Sequence, residues 1–249
     1  MKCTFDRPKS LKPVPFRYCP GCGHSQIHRL VAECIDAFGI RDNVVGIAPV
    51  GCAVFAYDYF NFDVIEAAHG RPPAVGTAMK RIMPDRIIFS YQGDGDLAAI
   101  GMAEIIHAAA RGENLSVFFV NNATYGMTGG QMAPTTLIGQ RTTTTPGGRN
   151  AGSDGYPLPV SEIVASIEGA AFVQRVSLDS YKGLISAKKA ISKAFSYQIE
   201  GKGFSFVEIL SPCPTDWGLS PRASLDWMRT KMVKIFPPAV LKDKFKETV

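Results

Sequence analysis

Apolar residues run along this chain in two alternating patterns. Short, largely unbroken runs at residues 44–48, 86–91, 115–120, 172–176 and 204–210 are each followed by turn formers or polar residues. They are too short for helices and show little polar alternation, so they predict strands buried on both faces. Between them lie stretches whose apolar positions fall three and four apart, over residues 27–38, 74–83, 97–111, 160–169 and 181–199. That spacing gives each helix one apolar side. Buried strands alternating with such helices predict an α/β fold, a doubly wound, mostly parallel sheet covered on both faces.

The chain is organised around residues 93–122. The strand over 86–91 runs into Gly93-Asp94-Gly95-Asp96, a helix follows, and the strand over 115–120 ends on Asn121-Asn122. In a β-α-β unit the strands are parallel, so Asp94 and Asn122 arrive at one edge of the sheet, where ligands bind. A carboxylate and a carboxamide there are hard oxygen donors, suited to a magnesium ion that keeps diphosphate oxygens in its shell. The glycines leave backbone room for a diphosphate, and the helix N-terminus behind them favours negative charge. Gly-Asp-Gly alone is also an ordinary tight turn. Here twenty-five residues separate it from Asn121-Asn122, and a strand precedes each half. That spacing resembles the thiamine diphosphate motif of the enzymes that use that cofactor.

Composition narrows the class. With 249 residues, 46% hydrophobic and 20% charged, the chain suits one large α/β domain or two small ones. No apolar stretch reaches transmembrane length and residues 1–8 lack a signal-peptide core, which predicts a cytoplasmic protein with no membrane partner. In that compartment six cysteines read as metal or redox ligands before disulfides. From Arg222 onward basic residues outnumber acidic ones seven to three, most of the net +5. Residues 216–249 therefore predict a basic C-terminal tail, fitted to an acidic partner or packed on a neighbouring subunit. Nucleic acid is not expected, since no binding module accompanies the charge. Residues 1–17, rich in proline, predict an extended arm, which leaves 18–215 as the ligand-binding domain.

Cys19 and Cys22 flank a Pro-Gly turn just before a helix, an arrangement that aims both sulfurs at one point and lowers thiol pKa. Cys52 follows the strand at 44–48 and Cys213 the strand at 204–210. If both strands join the parallel sheet, both sulfurs lie at the edge of Asp94 and Asn122. Four thiolates suit zinc or an iron-sulfur cluster. Cys34, on the apolar side of its helix, and Cys3, in the arm, read as bystanders. His69, beside Gly70 and Arg71, is either a diphosphate contact or an ordinary loop histidine. The aromatic residues over 55–62 read as core or subunit interface. Residues 124–159 form a long segment rich in Thr, Gly and Pro, read as a lid or partner-binding loop. In it Arg141, Arg149 and the hydroxyls of 142–145 either meet phosphate or carboxylate groups or lie in solvated turns.

Taken together, the stretch from Tyr18 to His24, Gly51-Cys52, His69-Gly70-Arg71, Gly93 to Asp96, residues 121–131 and Ser211-Pro212-Cys213-Pro214 resemble the β subunit of 2-oxoacid:ferredoxin oxidoreductases. The resemblance runs in order from about residue 17 to 215. Residues 127–136 and 142–145 are most similar to the multisubunit 2-oxoglutarate and branched-chain members. The resemblance implies a thiamine diphosphate-binding fold of the diphosphate-domain type. It implies a 4Fe-4S cluster on Cys19, Cys22, Cys52 and Cys213, and Mg²⁺ on Asp94, the Asn122 side chain and the Thr124 carbonyl. Cofactor contacts are implied for Gly51, Cys52, His69, Gly93, Gly95, Asp96, Gly126, Met127 and Thr128. Some relatives carry lysine where this chain has Gly129, a position over the thiazolium.

The implied reaction is oxidative decarboxylation of a 2-oxoacid with coenzyme A, giving acyl-CoA, carbon dioxide and electrons for ferredoxin. A cluster beside thiamine has a use that zinc lacks, since decarboxylation leaves an electron-rich product open to one-electron oxidation. Thiamine chemistry also needs a glutamate against the aminopyrimidine, and it belongs to a pyrimidine-binding domain that has no room here. The resemblance thus implies an α subunit carrying that domain, with γ and ferredoxin-like δ subunits, and no confident catalytic residue in this chain. Alternatives are a pyruvate- or indolepyruvate-type relative, a non-redox thiamine decarboxylase subunit, and a zinc-stapled scaffold or electron-transfer subunit.

Overall fold

The computed structural model describes residues 6–246. Seven strands form one sheet: β1 (Val44–Ala48), β2 (Asp63–Glu66), β3 (Ile87–Gly93), β4 (Ser116–Asn121), β5 (Ala170–Ser177), β6 (Phe204–Leu210) and β7 (Ala239–Asp243). Their order is β2-β1-β3-β4-β6-β5-β7, with every neighbouring pair parallel except β5 and β7. The central strand shows why the apolar runs are unbroken. Phe118 and Val120 of β4 pack in one core with helices His24–Phe38 and Tyr181–Ile199. Val117 and Phe119, pointing the other way, pack in a second core with helices Pro72–Ile82, Met102–Ala110 and Val160–Ser166. Burying both faces in this way is what requires a near-continuous apolar strand.

The parallel strands put their C-terminal ends at one level. Gly93 pairs with Val120, and Asn121 pairs with Leu210. β1 and β6 both belong to this parallel set, so Cys52 and Cys213 leave the sheet at the same edge as Asp94 and Asn122.

Several boundaries differ from the sequence reading. The helix expected over 97–111 begins at Asp94 as a π-helical segment, Asp94–Ile100, and becomes α-helical only over Met102–Ala110. The Gly101 N–H reaches back five residues to the Asp96 carbonyl (2.9 Å), a wide turn often found at functional sites. The helix expected from residue 74 starts at Pro72, because prolines suit a first turn whose N–H groups have no partner anyway. The helix expected to reach 169 stops at Ser166, where the chain turns into β5. β2 was not anticipated; it is a mostly exposed edge strand and leaves only a weak apolar signal.

The segment from residue 216 is not a loose tail. It carries helix Pro221–Trp227, a π-helical segment Met228–Met232 and β7, which extends the sheet antiparallel to β5. Met228, Met232 and Phe236 are buried with Ala123, Leu137 and Leu210 in a third small core, and the interspersed lysines had masked them. The described part of the arm, residues 6–17, has no helix and is pinned by a Leu11–Phe60 bridge and a Ser10–Asp36 hydrogen bond (2.6 Å). Cys3 lies outside the described residues. Tyr59 and Phe60 are buried in the core, whereas Tyr57 is exposed. Among the described residues no helix is long and apolar enough to cross a membrane.

Candidate active site

A cleft with an empty volume of ≈ 710 Å³ opens at the carboxyl edge of the sheet. Gly51, Cys52, His69, Gly93, Asp94, Gly95, Asp96, Asn122, Thr124, Gly126, Met127 and Thr128 all line it. The structure thus gathers every residue singled out for cofactor or Mg²⁺ contact, drawn from four separate strand ends. Gly51 sits at φ 94, and a β-carbon there would meet nothing within 4 Å, so its backbone stands open to the cleft.

Asp94 is buried, only 3% exposed, in the first turn after β3. Its Oδ2 accepts from the Asn122 and Thr124 N–H groups (3.1 and 3.2 Å), while Oδ1 has no hydrogen bond of ordinary geometry, the Thr135 hydroxyl standing near the carboxyl without closing one. Burial pushes its carboxyl up to about 8. One end of the Asn122 carboxamide lies 2.8 Å from Asp94 Oδ2 and 2.7 Å from the Thr124 carbonyl oxygen. With its nitrogen at that end the amide donates to both oxygens; turned over, its oxygen would stand beside them as a third oxygen donor, sharing the Thr124 N–H (3.3 Å) with Asp94 Oδ2. Adjacent ligands of an octahedral magnesium ion stand about 2.9 Å apart, given metal–oxygen distances of about 2.0–2.1 Å. The donor set therefore fits a hard divalent cation.

Asp96, besides lining the cleft, has a structural task. Its Oδ1 accepts from His69 Nδ1 (2.8 Å) and the Gly70 N–H (2.9 Å), and its Oδ2 accepts from Gln92 Nε2 (2.6 Å). The carboxylate is turned inward and 1% exposed, so its residue can meet a diphosphate only through the backbone. What it does is fix the His69 loop. With Nδ1 held, the His69 ring has Nε2 left for a ligand.

The four cysteines are free thiols. Cys52 and Cys213 both face Gly126: a β-carbon there would stand 3.3 Å and 3.7 Å from their sulfurs. Cys22 and Cys19 sit on the expected turn, the Cys22 N–H donating to the Cys19 carbonyl (3.0 Å). For Cys22 the expectation of a lowered thiol pKa is not met. Burial pushes Cys22 up to about 12 and Cys52 up to about 11, outweighing the His24 backbone N–H that acts on Cys22 in the opposite sense. Burial raises Cys213 as well, helped by Asp216, whose Oδ2 accepts from its thiol (3.1 Å). A bound metal's charge would deprotonate such thiols. Among the described residues no three His, Cys, Asp or Glu side chains close around a single-ion point. Gly126 brings its backbone against Cys52 and Cys213 together, with Asp216 beside them.

The long segment after Asn122 holds itself together. Arg149, 5% exposed, donates to the carbonyls of Ala133 (3.4 Å), Pro134 (2.9 Å), Thr136 (2.6 Å), Asp154 (3.2 Å), Gly155 (3.0 Å) and Tyr156 (2.8 Å). Its guanidinium is a clasp and not a ligand group. Thr142 bonds Thr145 within the same turn (2.6 Å), and Thr144 Oγ1 accepts from the Met132 N–H (3.0 Å). Three nearby residues were missed from sequence. His24 lines the cleft with Nδ1 bonded to the Tyr91 hydroxyl (2.6 Å), and burial lowers it to about 4, so the ring is neutral. Trp217 Nε1 donates to the Asn122 carbonyl (3.0 Å), and Gln92 steadies Asp96. Only His24 had a signal, as the last residue of the cysteine motif.

Residues 49–209 match the thiamine pyrophosphate enzyme C-terminal TPP-binding domain. The chain is also 35% identical over 207 residues to the 2-oxoglutarate synthase subunit KorB of Methanocaldococcus jannaschii, covering 82% of this chain and 72% of that one. The chain belongs to the 2-oxoacid:ferredoxin oxidoreductase subunits. Within that family it is 48% identical over 245 residues to the ketoisovalerate oxidoreductase subunit VorA of Methanothermobacter marburgensis. That match covers 98% of this chain but 51% of the relative, so the chain spans about half of its length. A solved 2-oxoglutarate:ferredoxin oxidoreductase from Magnetococcus marinus, with 2-oxoglutarate, coenzyme A and succinyl-CoA bound, superposes with a TM-score of 0.76 at 25% identity. It covers 98% of this chain and 87% of its own. The family's TPP-binding domain takes in Cys52, Asp94 and Asn122, whereas Cys19, Cys22 and Cys213 lie outside the matched span.

Proposed function

We propose that this chain binds thiamine diphosphate through Mg²⁺ at Asp94, Asn122 and Thr124, and serves CoA-dependent oxidative decarboxylation of a 2-oxoacid with electrons passed to ferredoxin. The observation that carries this reading is the buried Asp94 carboxylate, whose Oδ1 has no hydrogen bond of ordinary geometry, beside the Asn122 carboxamide and the Thr124 carbonyl. When bound, thiamine diphosphate supplies the carbon nucleophile and electron sink for decarboxylation. This chain's part is to hold the diphosphate end, with Gly51 and the turn at Gly93 giving backbone access and Asp96 steadying His69. Cys19, Cys22, Cys52 and Cys213 would hold a 4Fe-4S cluster to take the electrons. The activating glutamate comes from a pyrimidine-binding domain outside this sequence, on an α-type partner, with γ and ferredoxin-like δ subunits completing the assembly.

The substrate we favour is a branched-chain 2-oxoacid. Among the described residues no Lys or Arg lines the cleft, and its open side presents Val50, Ile100 and Met127. A second carboxylate, as in 2-oxoglutarate, would find no cation from this chain, whereas an aliphatic side chain would find apolar surface. The VorA relative's name points the same way. Turnover of the purified assembly on 2-oxoisovalerate, pyruvate and 2-oxoglutarate tests the reading. Preference for 2-oxoisovalerate is expected, and preference for 2-oxoglutarate would refute the substrate assignment.

A further inference from the structure

The residue between the two candidate cation ligands of the β4 loop breaks a backbone rule. Ala123 has φ 57, the only non-glycine in the left-handed region among the described residues, and it is fully buried. Its N–H donates to Asn121 Oδ1 (3.1 Å), and its carbonyl accepts from Thr136 Oγ1 (2.8 Å) and Gln140 Nε2 (3.0 Å). This turn reverses the chain between Asn122 and Thr124, which is how the carboxamide of one comes to lie 2.7 Å from the carbonyl of the other. A β-carbon makes that conformation unfavourable, so it persists only where the surroundings hold it.

What holds it can be traced. Asn121 Nδ2 donates to Glu208 Oε1 (2.7 Å), and Glu208 Oε2 accepts from Arg175 Nε (2.7 Å) and from the Ser161 hydroxyl. Arg175 is gripped on its far side by Glu162 (2.9 and 2.5 Å). Glu208 and Arg175 are each 1% exposed. A buried ion pair adds little net stability, because desolvation offsets the attraction and apolar residues of like volume often do as well. Stability is therefore a poor reason for placing one under the last residue of β4. Positioning is a better one, because the pair fixes the Asn121 amide, which in turn fixes the turn.

We propose that Asn121, tethered to the Glu208–Arg175 pair, is a positioning residue for the divalent cation: it sets the left-handed turn at Ala123 and so brings the Asn122 and Thr124 oxygens to Asp94. The inference rests on the metal site put forward above. It is tested with Mn²⁺ as probe, in the presence of thiamine diphosphate, by following free Mn²⁺ by electron paramagnetic resonance on the full chain in its purified assembly. Asn121→Ala is expected to weaken Mn²⁺ binding about 10- to 100-fold, the range for residues that orient metal ligands. Adding Ala123→Gly should recover most of that loss, since glycine takes a positive φ freely. A residue that merely packs the core would not have its loss repaired by removing one methyl group two positions away. Should Asn121→Ala fail to fold, Asn121→Ser serves in the same pairwise comparison.

Unchanged Mn²⁺ affinity in the Asn121 variant, or a loss that Ala123→Gly leaves untouched, overturns the inference. Asp94→Asn separates this from the larger reading. If Asp94→Asn binds Mn²⁺ as the parent does, the metal site itself is wrong; if it does not bind while Asn121→Ala binds normally, only the positioning role fails.

Discussion

Replacing Asp94 with asparagine should make the metal-free protein more stable while removing its response to Mg²⁺. The side chains have nearly the same shape, and the asparagine oxygen can still accept from the Asn122 and Thr124 N–H groups. The difference lies in the proton. Burial raises the folded-state carboxyl to about 8, whereas an aspartate in the unfolded chain titrates at about 3.9. Because the folded pKa is the higher one, the folded state holds a proton that the unfolded state gives up. Stability from this group is complete below about pH 4 and is lost progressively as pH rises to about 8. At pH 7 that loss amounts to about 4 kcal/mol, from about three pH units at 1.36 kcal/mol each. Asparagine has no proton to lose. The variant should therefore match the parent at about pH 4.5 and melt higher at pH 8, by at least about 5 °C for a chain of this size. Thermal unfolding after chelation, followed by circular dichroism across that range, is the assay. A melting difference that does not change with pH would refute the buried, protonated carboxyl.

Three further outcomes follow. Cys213→Ser should cost anaerobically purified protein its broad, dithionite-bleachable absorption at about 400 nm, and Cys34→Ser should not, because Cys34 is buried on the helix with its thiol toward the Lys188 carbonyl. An intact spectrum in the Cys213 variant would remove it from the ligand set. Arg149→Ala should destabilise the fold by about 3 kcal/mol and open residues 134–156 to proteolysis, since it strips a buried charged donor from six carbonyls; an unchanged digestion pattern would show that the clasp is redundant. Expressed without partners, the chain should decarboxylate no 2-oxoacid and should self-associate through the apolar residues at the cleft mouth, Val50, Ile100 and Met127, which are 36, 50 and 46% exposed. Decarboxylation by the pure chain, read as CO₂ release, would place the activating glutamate here.

Much of the framework was legible because both sheet faces are buried. The strands at Val44–Ala48 and Phe204–Leu210 and the helix Tyr181–Ile199 fall where the apolar pattern puts them. Turns at element ends carried the site, since parallel strands must bring Asp94, Asn122, Cys52 and Cys213 to one edge. The misses have physical causes. β2 is an exposed edge, so burial left no pattern on it. The C-terminal core of Met228, Met232 and Phe236 is small and set among lysines, and composition averaged it away. The inward hydrogen bonds of Asp96 to His69 and Gln92 are a matter of side-chain direction that spacing does not encode. The Cys22 thiol went the other way because a helix N-terminus acts locally, whereas burial depends on elements distant in sequence. Arg149 reads as a free cation until its six carbonyl partners are brought around it.

The central claim is that thiamine diphosphate is held at this sheet edge through a cation on Asp94. Calorimetric titration of thiamine diphosphate into the purified assembly, with Mg²⁺ and then with chelator, tests it most directly. The account predicts tight binding with Mg²⁺, loss of binding with chelator, and no Mg²⁺-dependent binding in the Asp94→Ala variant with the assembly intact. Equal affinity in the parent and Asp94→Ala proteins would contradict it.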